Sequence, residues 1–238
     1  MTISPGSGPA LPALDSRDVP MTRVQRAIAR RMAASAQEIP TFVTEIEVDM
    51  AAVDRFRRER DHGGGRAPSF NDFVLKAAAL GLKAAPQLNS SFAGDHFTLH
   101  GAINVGMAVA RPGALLVPTI FEADRKSLEE IATCAVSLAA RVRDGSIRAE
   151  ELAGGTFTVS NLGMLGVDRF TAIINPPQAG ILAVGSVRDR VIADNGAPQV
   201  SKRMTVTLTA DHRIVYGADA AEFLNAFRGI LESWSDDA

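Results

Sequence analysis

Residues 202–224, KRMTVTLTADHRIVYGADAAEFL, contain the change of pattern that decides the fold. Met204, Val206 and Leu208 alternate with Thr205, Thr207 and Thr209, so a strand here has one apolar and one polar face. The alternation stops at ADHR, and beyond Gly217 the period becomes helical. Phe223, Phe227 and Ile230 then share one stripe, with Asp219 as the expected N-cap and Glu222 at the third helical position. A turn between a strand and a helix is a place where a rigid scaffold presents functional groups. This one holds His212, one of four histidines, and Tyr216, the only tyrosine.

Upstream, helices and strands interleave irregularly. Residues 1–20 are rich in Pro, Gly, Ser and Ala and read as a flexible arm, leaving 21–238 as one domain. TRVQRAIARRMAASAQ puts Val24, Ile28 and Met32 on one helical stripe, and Pro40 ends it. TFVTEIEVDM alternates as a strand, and AAVDRFRRERD reads as a charged helix running into the loop HGGGR. Two further helices open with cap signals, Ser69 with Asp72 and Ser127 with Glu130, and Gly145 suits the end of the second. AINVGMAVA and ALLVPTI, separated by RPG, predict a hairpin. GTFTVSNLGMLG, GILAVGSVRDRVI and KRMTVTLTADH predict three late strands. Together these favour an α/β two-layer sandwich with a mixed sheet.

Composition narrows the function. The 238 residues carry a formal charge of -2 and no long basic run, which leaves no electrostatic footprint for nucleic acid. No stretch of about 18 apolar residues and no leader-like start occur, so the expectation is a soluble, cytoplasmic protein without a membrane partner. The single Cys134 falls in an apolar-periodic helix and reads as a buried, inert thiol. His62, His96 and His100 lack a metal-ligand arrangement and read as surface or structural histidines. Phosphate-loop, dinucleotide and G-x-S-x-G signatures are missing. His212 stands apart: a neutral imidazole at a strand end can act as a general base near neutral pH, and a structural histidine is the alternative.

ADHRIVYGADAAEFL resembles the H-x-x-x-D-G signature of the catalytic domain of 2-oxo acid dehydrogenase E2 components, the dihydrolipoamide acyltransferases, which share their fold with chloramphenicol acetyltransferase. PMTRVQRAIARRM, INVGMAVARPGALLVPTI, ADRKSLEEIA and GGTFTVSNLGMLGVDRFTAIINPPQAGILAVG are similar to segments of that domain, in the same order. The resemblance implies a coenzyme-A-dependent acyltransferase with no metal, in which His212 is the general base and Ser160 stabilises the oxyanion. It also implies a homotrimer with active sites between subunits, and a larger cage if the chain is an E2 core. Strand alternation places Thr156, Thr158 and Ser160 on one face, which makes Thr158 a second candidate for the substrate pocket. Lys126 and Ser127, at a helix N-terminus, are candidate contacts for the cofactor's phosphates.

Two features depart from the family. No lipoyl-bearing segment precedes residue 20, and Tyr216 stands where the family has Asp or Asn. A neutral phenol cannot serve as a counter-ion, so an arginine such as Arg23, Arg26, Arg30 or Arg31 would need another partner. These departures lead to the expectation of a stand-alone, secondary-metabolism enzyme that acylates a hydroxyl of a small molecule, such as a tetronate-type polyketide intermediate. The alternative is the E2 catalytic core itself, acting on dihydrolipoamide.

Overall fold

The strand Ala197–Asp211 organises the domain by pairing on both edges. In a computed structural model, which describes residues 16–61 and 67–235, the chain runs α1 (Arg23–Glu38), β1 (Thr41–Asp49), α2 (Ala51–Asp61) and α3 (Phe70–Ala84). It continues through β2 (Ser90–Phe92), β3 (Phe97–Leu99), β4 (Val105–Met107), β5 (Val109–Arg111), β6 (Ala114–Leu116), β7 (Thr119–Ile120) and α4 (Leu128–Asp144). The last part comprises β8 (Phe157–Asn161), β9 (Gly180–Val184), β10 (Arg188–Asp194), β11 (Ala197–Asp211) and α5 (Gly217–Glu232). Most of the expected arm, residues 1–15, and the HGGGR loop with His62 lie outside the described residues.

Among the described residues the main sheet has seven strands, with β1-β11-β9-β8-β4-β7 in order and β10 also on β11. β8 runs parallel to β9 and to β4, while the β1–β11, β11–β9 and β4–β7 pairs are antiparallel. The sheet is therefore mixed, as the sequence pattern suggests.

Its two faces differ chemically. Met204, Val206, Leu208 and Ala210 of β11 are buried on the face packed by α5, which in turn packs against α3. Phe157 of β8 meets Phe223 of α5 at 5.4 Å between ring centroids, and Phe73 of α3 meets Trp234 at 4.7 Å edge-on. Such aromatic pairs add about 0.5–1.5 kcal/mol beyond the area they bury. The opposite face carries the threonines of β11 and Thr158 and Ser160 of β8. The connection between β8 and β9 folds over part of it. Ile174 packs with Ile39 and Ile181, and Gln178 is buried with its Oε1 2.5 Å from the donating hydroxyl of Thr158.

Several local expectations change. α5 begins three residues early: Tyr216 is the N-cap, and the Asp219 carboxylate accepts its backbone N–H at 2.8 Å. A carboxylate at the third helical position satisfies that donor and is favoured by the helix dipole, which moves the cap away from Asp219. GILAVGSVRDRVI divides into β9 and β10 around Gly185, because the chain near Asp168 crosses it so closely that a Cβ there would sit 1.9 Å from the Asp168 carbonyl oxygen. β10 and β11 form an unforeseen hairpin through Asn195 and Gly196, both at positive φ, the chemistry of a tight hairpin turn. Cys134 is half-buried, packed against the edge of the core rather than within it. The RPG hairpin is present as β5 and β6, and Ser127, Glu130 and Gly145 cap α4 as expected.

Replacing Gly185→Ala is expected to destabilise the fold by about 2–3 kcal/mol through forced backbone displacement, read as a lower urea midpoint. Thr158→Val keeps volume but leaves the buried Gln178 amide oxygen without its donor, so a loss of about 1–3 kcal/mol is expected. An unchanged midpoint in either variant would contradict the packing described.

Candidate active site

The turn bearing His212 is held from three sides. The Asp211 N–H donates to the Ala179 carbonyl (2.9 Å), and the His212 N–H donates to the carbonyl of Pro40, just before β1 (2.8 Å). The N–H groups of Ile214 and Val215 both return to the Asp211 carbonyl. The Asp211 carboxylate is almost fully buried and is met by its neighbour in a two-pronged pair, Arg213 Nε to Oδ1 at 2.9 Å and Nη2 to Oδ2 at 2.7 Å. The Arg213 guanidinium also lies 3.9 Å from the centroid of the Phe92 ring.

The imidazole of His212 projects from this frame into solvent and packs against Phe42, with ring centroids 4.4 Å apart. Its ring nitrogens have no hydrogen-bond partner among the described residues, so both remain available for chemistry. Tyr216 is 56% exposed, 6.0 Å from His212 between ring centroids, and its hydroxyl likewise has no partner among the described residues. Two of the arginines considered as partners for that position are engaged with carbonyls instead, Arg26 with Met21 and Arg31 with Pro176. Beside the turn is a cleft of about 610 Å³ lined in part by Arg31, Glu38, Phe92, Pro176 and Arg213.

Ser160 lies near the end of β8, half-buried, its hydroxyl unpaired among the described residues. Asn161 beside it secures the strand end, accepting the Gly163 N–H at 2.8 Å and donating to Asn71 at 3.0 Å. Thr158 is not part of an open pocket: it is 1% exposed and its hydroxyl is committed to Gln178. Nor does the structure bring Ser160 and His212 together. Ser160 stands opposite Ala183 of β9, and Ala183 opposite Thr207 of β11, five residues before His212. Two strand spacings across and five residues along give a separation of roughly 20 Å.

Lys126 and Ser127 form a different feature. The Ser127 hydroxyl accepts the Glu130 N–H (3.1 Å), and the Glu130 carboxylate accepts the Ser127 N–H (2.7 Å). With Glu129 also in the first turn, this helix end already has its negative charge and does not fit a phosphate. Lys126 offers its carbonyl to the buried Lys76, whose ammonium also donates to the Asp124 carbonyl; burial lowers the pKa of Lys76. The pair is thus a docked helix start, held by Lys76 through the Lys126 carbonyl at 2.7 Å. His96 pairs with Asp95, and His100 shares a hydrogen bond with Ser91. No group of three or more His, Cys, Asp and Glu side chains is arranged for a metal among the described residues.

Asp211 and Arg213, the immediate neighbours of His212 in sequence, are functional residues that its motif alone does not single out. Their opposite charges two positions apart were the available signal. Phe42 and Pro40 had none, because only the β1–β11 register brings them to the turn.

The family described as 2-oxoacid dehydrogenases acyltransferase (catalytic domain) matches residues 13–236. The chain is 42% identical over 229 residues to the Arabidopsis thaliana mitochondrial dihydrolipoyllysine-residue acetyltransferase component 3 of the pyruvate dehydrogenase complex, covering 93% of this chain and 42% of that protein. It thus spans about half or less of the curated relatives' length. A solved structure of Azotobacter vinelandii dihydrolipoamide acetyltransferase matches with a TM-score of 0.88 at 30% identity, over 94% of this chain and 97% of that one. That structure concerned the catalytic role of a serine, a histidine 52 positions later and an asparagine four further on. The cubic core of a pyruvate dehydrogenase multienzyme complex matches equally well, with a TM-score of 0.88 at 31% identity over 94% and 97%. Chloramphenicol acetyltransferase, at 13% identity and a TM-score of 0.52, shares the fold only.

These likenesses overturn the expectation of a secondary-metabolism enzyme acylating a tetronate-type hydroxyl, since the similar proteins are pyruvate dehydrogenase acetyltransferases. The physical reason is that one changed side chain does not redirect the site: Tyr216 is an exposed ring with no polar contact among the described residues, and an unpaired phenol does not select a hydroxyl acceptor over a thiol. The match spans nearly the whole described domain, and the fold is that of the similar solved structures; the chain belongs to the acyltransferase catalytic domains of the 2-oxoacid dehydrogenases.

Proposed function

We propose that this domain is a dihydrolipoamide acetyltransferase, moving an acyl group between the thiol of dihydrolipoamide and coenzyme A. The carrying observation is the separation of His212 from Ser160, about 20 Å by strand register, although each presents an unpaired polar group. Within one chain they cannot act on the same carbonyl. Between copies they can, and the cubic-core likeness supports assembly through trimers into a cage. Ser160, His212 and Tyr216 also reproduce the spacing of the Azotobacter vinelandii trio, 52 and then four residues, with a phenol in place of the asparagine amide.

In this reading the imidazole of His212 takes the proton from the attacking thiol as its sulfur adds to the thioester carbonyl. The oxyanion so formed accepts a hydrogen bond from the Ser160 hydroxyl. On collapse the carbon–sulfur bond to the departing thiolate breaks, and the proton held by His212 passes to that sulfur. No charge is left on the enzyme after a turnover, in either direction.

His212→Ala is expected to lower kcat for acetyl transfer from acetyl-CoA to dihydrolipoamide by ~10²- to 10⁴-fold, and Ser160→Ala by ~10²- to 10³-fold. Both should leave the KM for acetyl-CoA little changed. Thioester absorbance in a steady-state assay checks both, and wild-type kcat in either variant would sink the assigned role. Light scattering should give a particle at least the size of a trimer; a monomer with full activity would contradict a shared site.

A further inference from the structure

The turn around His212 holds more machinery than acid–base chemistry uses. Asp211 is 1% exposed, and a carboxylate so buried is costly unless paired. Its partner is neither a distant cation nor a backbone donor alone but Arg213, two residues on, in a fork of 2.9 and 2.7 Å. The Arg213 N–H closes on Asp211 Oδ1 as well, at 3.0 Å. The flat guanidinium lies 3.9 Å over Phe92 and reaches the Glu38 carbonyl at the end of α1 at 3.4 Å. Four separate segments, namely the end of α1, the first residues of β1, β2 and the turn itself, therefore converge on the residue pair that brackets His212.

From these contacts we infer that Arg213 is a positioning residue for His212, its fork with Asp211 and its stack on Phe92 fixing the backbone from which the imidazole projects. The inference rests on His212 acting as the base. It explains why an arginine is needed rather than a lysine. A lysine ammonium can neutralise Asp211, but it cannot make two parallel hydrogen bonds and lie flat on a ring at once. Among the described residues the His212 side chain has the Phe42 and Tyr216 rings beside it and no hydrogen bond of its own, so its direction depends on the main-chain frame. An error of about 1 Å at a reacting group can cost on the order of 100-fold in rate.

A double-mutant cycle in the full assembled protein tests this, with acetyl-CoA and dihydrolipoamide as substrates. Arg213→Lys is expected to reduce kcat about 10- to 100-fold with the KM for acetyl-CoA within about twofold of wild type. In a His212→Ala background the same substitution should cost little more, because the base it positions is gone. An equal loss in both backgrounds, or no loss in either, would overturn the positioning role. If His212→Ala itself retains wild-type kcat, the failure belongs to the general-base reading and not to the clamp alone. Phe92→Leu provides a second variant that removes the stack and leaves the ion pair. It should show a smaller kcat loss of the same non-additive kind, and additivity there would likewise count against the inference, even if Arg213→Lys fails to fold.

Discussion

Backbone pairing of β11 with β1 on one edge and β9 on the other is the constraint on which the domain depends. The β1 register delivers Pro40 and Phe42 to the His212 turn, since Thr41 stands opposite Asp211 and Phe42 opposite Ala210. The β9 register, carried through to β8, sets how far Ser160 lies from that turn. A slip of one residue would exchange the faces of β11, turning the threonines into the core and Val206 and Leu208 out of it. Apolar burial on one face thus fixes the position of the chemistry on the other.

The polar face is kept at some energetic cost. Thr209 is buried with its hydroxyl unpaired among the described residues. Such a group costs about 1–3 kcal/mol unless a partner is supplied. Thr158 avoids the cost by donating to Gln178, and that bond ties β8 to the connection folded over it. His212, Ser160 and Tyr216 show the complementary property: their polar atoms stay unpaired yet accessible to solvent. Side chains of this kind, spread along one surface rather than gathered in one pocket, suit a site completed by a second copy.

The elements that were legible in the sequence have strong periodicity or caps. The alternating threonines of β11, the Ser127–Glu130 box and the RPG turn each have a local cause, so no tertiary information was needed to read them. His212 stands out from its local setting at a strand end, whereas Ser160 is named only through the resemblance to the family. What could not be read depends on distant contacts. The break at Gly185 comes from the Asp168 carbonyl crossing it, and the stack on Arg213 comes from Phe92, about 120 positions earlier. Tyr216, at the position of the family's acid or amide, suggests a changed acceptor, yet its phenol is exposed at the helix cap and by itself selects no acceptor. The cap signal itself was present in Asp219, but Glu222 offered an equally regular alternative three residues on.

The central claim is that the two catalytic side chains of one site come from different copies of the chain. Subunit mixing tests it most directly. His212→Ala and Ser160→Ala proteins, each nearly inactive, are co-expressed so that they assemble at random, and acetyl transfer is compared with the parents. In a cyclic assembly, sites joining an intact His212 from one copy to an intact Ser160 from another should restore roughly a quarter of wild-type activity. Activity no greater than that of the two parents would contradict the shared site and require both residues to act within a single chain.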